Sequence, residues 1–504
     1  MRLHELQPTV RATLRAPGRL LAVVVLLPIL VAIAVSSLQG FGAPLGDDWI
    51  FFSHFDKISL WAGNPDHHNS ALLTNTAAAD GLRFRPFAYA HMWLERQVWP
   101  DFAFNRWVGV LYLGLTGSAL GLLLLAIKAP FGRALAAALV LIAHPAQSEV
   151  YGWASARIDT MAACYGLFGL WLVVRGNLVL STIAFLLAFT SKESAYPLVL
   201  VAAAFGFLAD MGWRSAVARA MPAVIALGLT AALKLGLTGT LIAESWKAGV
   251  VEVPLLERIT GYLSLLNPLL LQPTSSESHS RMAAFFGLTF TALIVLSLLL
   301  PLLGSSVHRR SFNDPAERAR RESGSTLFLG IGLVMTVLVT FGVPANANFD
   351  GGRVWFLPCA FLFGLIACSG RPLPLWIALV PGLVLLHGNL EPYREADRRM
   401  QIVLDRVHVE VAKPDTAVRC IGLESKRGPV PLFFLMTNLF HETLPEEKLR
   451  PRKPGKYPAV FLTRDDQRDI DDAPWREDMR RQGYRIADFG WDPRNGQIHQ
   501  LPAK

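Results

Sequence analysis

Long apolar segments separated by short polar ones make up most of the chain, as far as about residue 387. The first of them, residues 20–38, is long enough to cross a bilayer as a helix. Apolar runs of this kind predict a polytopic α-helical membrane protein. About eleven spans are expected, at residues 20–38, 107–127, 134–144, 158–174, 178–190, 196–209, 216–237, 282–303, 326–343, 354–368 and 373–386.

The chain changes character after residue 387. Residues 388–504 are rich in Arg, Asp, Glu and Pro, and they contain two strand-like runs, VPLFFLM and AVFLT. The pattern predicts a membrane domain over residues 1–387, followed by a small mixed α/β soluble domain over residues 388–504. A disordered tail is the alternative, against which the apolar runs argue.

Composition supports the membrane class for the whole chain. Apolar residues make up 52% of it, charged residues 17%, and the mean hydropathy is +0.36, whereas about a quarter of a soluble chain is charged. The net charge of +9 does not indicate nucleic acid, because the basic residues recur in short runs between apolar segments. Neither a disulfide framework nor a metal-ligand spacing is expected from the four cysteines, Cys164, Cys359, Cys368 and Cys420.

The basic residues also predict the orientation of the chain. Arginines precede the first span, and no signal-peptide cleavage site follows it. Because basic residues stay on the cytoplasmic side, the N-terminus is expected inside, together with the loops at Arg175, at Arg309 and Arg310, and at Arg371. An odd number of spans then puts the tail from about residue 388 on the outer side.

A pair of carboxylates follows the first span, in the sequence GDDWIFF. Asp47 and Asp48 begin the predicted first outer loop, residues 39–105. Ionisable residues held beside apolar helices are costly and often functional. The pair is therefore the first candidate for a catalytic site, with an N-cap or turn before WIFF as the alternative interpretation.

The other unusual polar residues also fall in segments assigned to the outer side. A single charged loop is usually a solvated turn, but several at the outer ends of helices favour one polar cavity that opens outward. The residues concerned are His54, Asp56, Arg83, Arg85, His144, Glu149, Arg157, Asp159, Lys192, Glu193, Lys247, Glu257, Arg258, Asp350 and Arg353.

Four of these segments resemble motifs of one enzyme class. HPAQSEVYGWASARID, FRPF, SKES and GRVWFLP resemble the corresponding stretches of GT-C fold glycosyltransferases, above all the transmembrane and TPR-containing O-mannosyltransferases and their bacterial relatives. The matches follow the same order across roughly residues 40–360. The tail lacks the 34-residue period of TPR arrays, so recognition of a protein acceptor by such repeats is not expected.

The resemblance implies a glycosyltransferase that uses a polyprenyl-phosphate-linked sugar as donor and a protein, glycan or lipid as acceptor. It implies an inner-membrane protein whose active site faces the periplasm. The acidic motif of these enzymes maps onto Asp47 and Asp48, and a carboxylate base contributes about 10²–10⁴-fold to such a transfer. Candidates for binding the lipid phosphate and lining the site are Arg353, Arg157, Lys192, Arg83, Arg85, His144 and Glu149.

Two other functions and the question of a metal remain open. A lipid-linked glycan polymerase or ligase would also be polytopic, with large outer loops. A transporter or flippase would carry mid-membrane polar residues and paired repeats, whereas the spans here are apolar apart from Lys234 and show no repeat. Asp66, His67 and His68 look like metal ligands but lie in a polar loop without a second cluster, so no metal is assigned and a divalent ion is not excluded.

Overall fold

The computed structural model describes residues 18–38, 84–99, 102–210, 212–238, 315–340, 356–369, 372–424, 426–427, 430–431, 459–464 and 472–502, with a few more between 288 and 296. Within these ranges the protein is mostly helical, with a small sheet near the C-terminus. The mostly helical class and the mixed α/β tail predicted from the sequence are both confirmed.

The helices follow the apolar segments. Their bounds are α1 Gly18–Ser37, α2 Pro86–Val98, α3 Phe102–Ala126, α4 Phe131–Ala143, α5 Ser148–Gly152, α6 Arg157–Arg175, α7 Leu178–Ser191, α8 Leu198–Asp210, α9 Trp213–Thr238, α10 Pro315–Thr340, α11 Phe356–Ser369 and α12 Pro372–Val411. Short 3₁₀ turns lie at Pro145–Gln147, Ala154–Ala156 and Glu193–Ala195.

Among the described residues, five helices are long and apolar enough to cross a membrane: α1, α3, α6, α9 and α12. Shorter apolar helices lie at Phe131–Ala143, Leu178–Ser191, Glu193–Ala209, Gly324–Leu338 and Phe356–Cys368. Every predicted span overlaps helical residues; of residues 282–303 only a few between 288 and 296 are described, and these are helical. The count of eleven stays a prediction.

The long helices differ in how much of their apolar surface the bundle covers. In the apolar stretches of α3 and α6, 78% and 72% of the residues are buried, whereas in those of α1 and α9 only 22% and 28% are buried. Helix α1 approaches α3 closely at Gly114, where a Cβ would lie 2.6 Å from Ile29 Cα. Helices α3 and α6 are therefore central, and the open apolar faces of α1 and α9 are typical of lipid contact.

Helix α12 joins the bundle to the sheet. At 40 residues it is about 60 Å long, and its first half packs on α4 while its last turns pack on the sheet. Arg399, which is 2% exposed, bonds Glu395 Oε1 and Glu424 Oε2 at 2.6 Å each. The helix runs through the predicted domain boundary at residue 387, which itself stays a prediction.

The C-terminal sheet has the strand order β4-β1-β5-β6. Strands β4 (Val460–Arg464) and β5 (Arg485–Asp492) both pair in parallel with β1 (Thr416–Leu423). Strand β6 (Gln497–Gln500) is antiparallel to β5, and Lys426–Arg427 (β2) pairs with Val430–Pro431 (β3).

Helix α13, Ala473–Arg481, lies between β4 and β5 in the chain and buries Trp475 and Met479 against Ala417 and Ala459 of the sheet region. The predicted strand AVFLT corresponds to β4. Of VPLFFLM, only Val430–Pro431 is described as a strand, and the rest lies outside the described residues.

Candidate functional site

The structure describes five of the predicted site residues: Arg85, His144, Glu149, Arg157 and Lys192. Asp47, Asp48, Arg83 and Arg353 lie outside the described residues, as do the ligand-like Asp66, His67 and His68. Their roles therefore stay predictions, and the site is built here from the described residues alone.

The segment from His144 to Arg157 is buried throughout, in a stretch that the sequence assigns to an outer loop. Helix α4 ends before His144 because the residue preceding a proline is disfavoured in the α conformation. The His144 ring then accepts a hydrogen bond at Nδ1 from Ala146 N, at 3.2 Å, and packs against Phe363. His144 thus caps the short turn that begins the segment.

Helix α12 is what covers this segment. Asn389 Nδ2 donates to the Pro145 carbonyl at 3.3 Å. Gly152 lies against the ring of Tyr393 so closely that a Cβ at this position would overlap it. The buried state of Glu149, which is 1% exposed, follows from the same cover, because α5 lies beneath α12.

Arg85, of the FRPF motif, pairs with Glu193, of the SKES motif. Two parallel hydrogen bonds join them, from Nε to Oε2 at 3.1 Å and from Nη2 to Oε1 at 2.9 Å. Arg85 precedes the first turn of α2, where Pro86 begins the helix. Burial alone would lower the pKa of Arg85, but the Glu193 carboxylate and, more weakly, Asp159 raise the pKa above its ordinary value.

Lys192, the neighbour of Glu193 in the chain, pairs with Asp159 of the ARID motif. Its Nζ lies 2.5 Å from Asp159 Oδ1, and the two side chains are 13% and 5% exposed. Because Lys192 and Glu193 are neighbours in the chain, the two ion pairs form one charged cluster, which consists of Arg85, Glu193, Lys192 and Asp159. Three motifs separated by as many as 108 positions thus meet at one place in the fold.

Arg157 begins α6 two residues before Asp159, and its side chain is fully buried. Its Nη1 donates to Glu95 Oε2 at 2.6 Å and to the Asn105 carbonyl at 2.7 Å. The carboxylate that bonds Arg157 is thus Glu95 of α2.

A chain of polar side chains continues from Glu95, and the sequence analysis missed it. Glu95 Oε1 lies 2.5 Å from His91 Nδ1. His91 Nε2 lies 3.1 Å from the Tyr112 hydroxyl, which in turn lies 3.0 Å from the Tyr165 hydroxyl. The available signal was the i,i+4 spacing of His91 and Glu95 in HMWLE, just after FRPF.

The geometry of α2 explains how this chain forms. Phe87 contacts the Tyr165 ring, whereas Glu95 reaches Arg157, so α2 runs antiparallel to α6. Tyr165 follows Arg157 by eight residues and lies about 12 Å further along the helix. Apolar residues such as Met92 and Met161 surround the chain. The polar residues therefore extend along α6 from its first turn as far as Tyr165.

The described site is electrically balanced. Each of the three candidate cations, Arg85, Lys192 and Arg157, bonds a carboxylate. Charged groups fixed by such pairs in a poorly hydrated environment act more strongly on a reacting group than they would in water. Within the residues that the structure describes, no group of three His, Cys, Asp or Glu side chains could bind a metal ion.

No family model, no curated protein and no solved structure matches this chain.

Proposed function

We propose that this protein is a membrane glycosyltransferase that moves a sugar from a polyprenyl phosphate to a hydroxyl acceptor. The observation that supports the proposal is the meeting of the FRPF, ARID and SKES motifs in one charged cluster. Motifs that resemble parts of one catalytic site are expected to meet in the fold if they form such a site. Unrelated solvated turns would have no reason to lie together.

The described residues suit the leaving-group side of this reaction. As the bond between the sugar C1 and the phosphate oxygen breaks, the departing phosphate gains negative charge. Guanidinium and ammonium groups stabilise that charge. Arg85 and Lys192 supply two of them in the charged cluster, and Arg157, two residues before Asp159 on α6, supplies a third. Their carboxylate partners hold the three side chains in position before a substrate binds.

The acceptor side of the reaction is assigned to Asp47 and Asp48. One carboxylate takes the proton of the acceptor hydroxyl while that oxygen forms its bond to the sugar C1, and polyprenyl phosphate leaves. A proton acceptor within hydrogen-bond reach is what this step requires. We assign Asp47 as the base and Asp48 as its partner.

A membrane setting fits the lipid-linked donor. The apolar faces of α1 and α9 are largely uncovered. Their side chains are suited to contact with an isoprenoid chain or with the bilayer itself. We propose that the protein lies in the bacterial inner membrane with the site facing the periplasm, where the sugar and phosphate meet the acceptor.

The test uses a strain from which this chain is deleted, complemented with variants. We expect deletion to remove one sugar mass from a surface glycan or a secreted protein, and the wild-type chain to restore it. Asp47→Asn or Asp48→Asn should not restore it at normal protein abundance, whereas Glu477→Gln, an exposed position on α13, should. Restoration by both aspartate variants would refute the assigned base.

A further inference from the structure

Only the Nη1 atom of the Arg157 guanidinium forms hydrogen bonds with the described residues. Its two hydrogen-bond acceptors among the described residues, Glu95 Oε2 and the Asn105 carbonyl, are both bonded by Nη1. The Nε and Nη2 atoms are buried and have no hydrogen-bond partner in the part of the chain that the structure describes. Buried polar atoms of this kind nearly always have a partner, so the second edge of this guanidinium calls for an explanation.

The chemistry of that edge is specific. Nε–H and Nη2–H point in parallel and are spaced to meet two oxygens of one carboxylate or phosphate group. Because the edge is shielded from water, an anion bound there would interact more strongly than at an exposed arginine. The side chains that cover the edge must move aside when such a group binds.

The orientation of the edge depends on two residues that sequence reasoning did not identify. Glu95 Oε2 accepts a hydrogen bond from Arg157 Nη1, and its other carboxylate oxygen, Oε1, lies 2.5 Å from His91 Nδ1. His91 is fixed in turn by the hydroxyl of Tyr112. A guanidinium whose Nη1 is bonded by this chain and by a backbone carbonyl cannot rotate freely.

We propose that Glu95 and His91 are positioning residues, which hold Arg157 so that its Nε–Nη2 edge binds the phosphate of the lipid-linked donor. This inference rests on the proposed function and names the contact between that site and its substrate. Neither Glu95 nor His91 touches the donor. They act through Arg157, which does.

A purely structural ion pair is the competing explanation, and the two make different predictions. A structural pair affects the stability of the fold, and its loss would weaken the binding of any lipid equally. A positioned phosphate contact affects only ligands that carry a phosphate. Because the departing phosphate gains charge, loss of the contact should lower kcat as well as raise the KM for the donor.

The experiment measures binding to the full-length protein in detergent, with a short-chain polyprenyl phosphate and the matching polyprenol as probes. Arg157→Lys keeps the charge opposite Glu95 but lacks the forked edge. We expect this variant to bind the polyprenyl phosphate about 10- to 100-fold more weakly and the polyprenol as the wild type does. His91→Gln, which can still bond Glu95, should weaken only the phosphate probe, by about 2- to 5-fold.

Glu95→Gln completes the series. Because it leaves a buried guanidinium without its counter-ion, it is expected to be less stable than the wild type, and the conclusion therefore depends on the changes at Arg157 and His91. Glu477→Gln is the matched control, since it removes a carboxylate from an exposed ion pair with Arg481. It should bind both probes normally.

Three results would overturn the proposal: normal phosphate binding by Arg157→Lys, equal losses for the phosphate and the polyprenol, or equal competition by phosphatidic acid in phosphatidylcholine vesicles. The last result would point to a phospholipid headgroup instead of the donor. Normal transfer with unchanged binding in Arg157→Lys would refute this inference alone. Intact phosphate binding without any sugar transfer by the wild type would refute the proposed function but not the phosphate contact.

Discussion

The ion pair between Lys192 and Asp159 offers a way to separate stability from function. The side chains are 13% and 5% exposed and their charged atoms lie 2.5 Å apart, so the pair is close to fully buried. Removing one member of a buried pair costs about 3–5 kcal/mol because the other charge loses its counter-ion. Replacing both members by uncharged residues of similar size is often nearly neutral.

We therefore expect Lys192→Met to lower the free energy of unfolding by about 3 kcal/mol or more. The double variant Lys192→Met/Asp159→Leu should recover most of that loss. Lys192 is also a proposed phosphate contact, and the double variant should therefore remain inactive in sugar transfer although it is stably folded. Stability is measured by denaturant unfolding in detergent, and activity by transfer from the polyprenyl-phosphate sugar.

Two outcomes would refute this reasoning. If the double variant were stable and fully active, the ammonium would have only a structural role, and the phosphate assignment of Lys192 would be wrong. If Lys192→Met alone were as stable as the wild type, the pair would not be buried as described. Arg398→Met, on an exposed ion pair with Glu395, is the matched control and should change stability by less than about 1 kcal/mol.

Three further predictions concern the tail and the topology. The Asp472 carboxylate accepts a hydrogen bond from Arg476 Nε at 2.7 Å. Burial alone would raise the pKa of Asp472, but this bond and the charge of Arg419 lower the pKa below its ordinary value. The extra stability relative to Asp472→Asn, about 1 kcal/mol, should be present at pH 7 and be lost progressively once the pH falls below about 4, the ordinary pKa of an aspartate. An unchanged difference at pH 3 in acid-unfolding curves would contradict this. Burial raises the pKa of the Cys420 thiol to about 12. We therefore expect maleimide at pH 8 to leave Cys420 unmodified in the folded protein, as measured by mass mapping, and to label it only after unfolding. Rapid labelling of the folded protein would show that strand β1 is open. A reporter that is active only outside the cytoplasm should be active when fused after Lys504, and an inactive, well-expressed fusion would mean that the span count is wrong by one.

The helices were predictable because each depends on a local apolar run. Segments such as FGRALAAALVLIA, which forms α4, carry their own signal for helix and burial. Helix ends were harder to predict: α10 begins inside the basic segment after residue 310, and α12 extends well past residue 386. In both cases charged residues continue a helix whose apolar part had ended, so hydropathy alone could not locate the end.

The burial of the segment after His144 was not predictable from its own residues. Its polar composition is typical of an exposed loop, and the cover comes from Asn389 and Tyr393, more than 200 positions later in the chain. Strands β1 and β5 were missed for a related reason, because Arg419 and Asp488 interrupt their apolar pattern and pair with each other only across the sheet.

The candidate site was predictable in part. The motifs indicated which charged residues to consider, and three of those motifs do meet. The order of motifs could not indicate which charges would pair, since Arg85 bonds a residue 108 positions away and Arg157 one that is 62 positions away. Glu95 and His91 lay in a segment assigned to a loop, so their place on α2 beside α6 was not apparent.

The choice of donor tests the central claim most directly. Full-length protein, purified in detergent, is mixed with membranes from a strain that lacks this chain and with a labelled sugar, carried either on a short-chain polyprenyl phosphate or on a nucleotide. The account predicts that label passes to an acceptor in those membranes from the polyprenyl phosphate and not from the nucleotide. Transfer from the nucleotide sugar in preference to the lipid-linked one would contradict the proposed function.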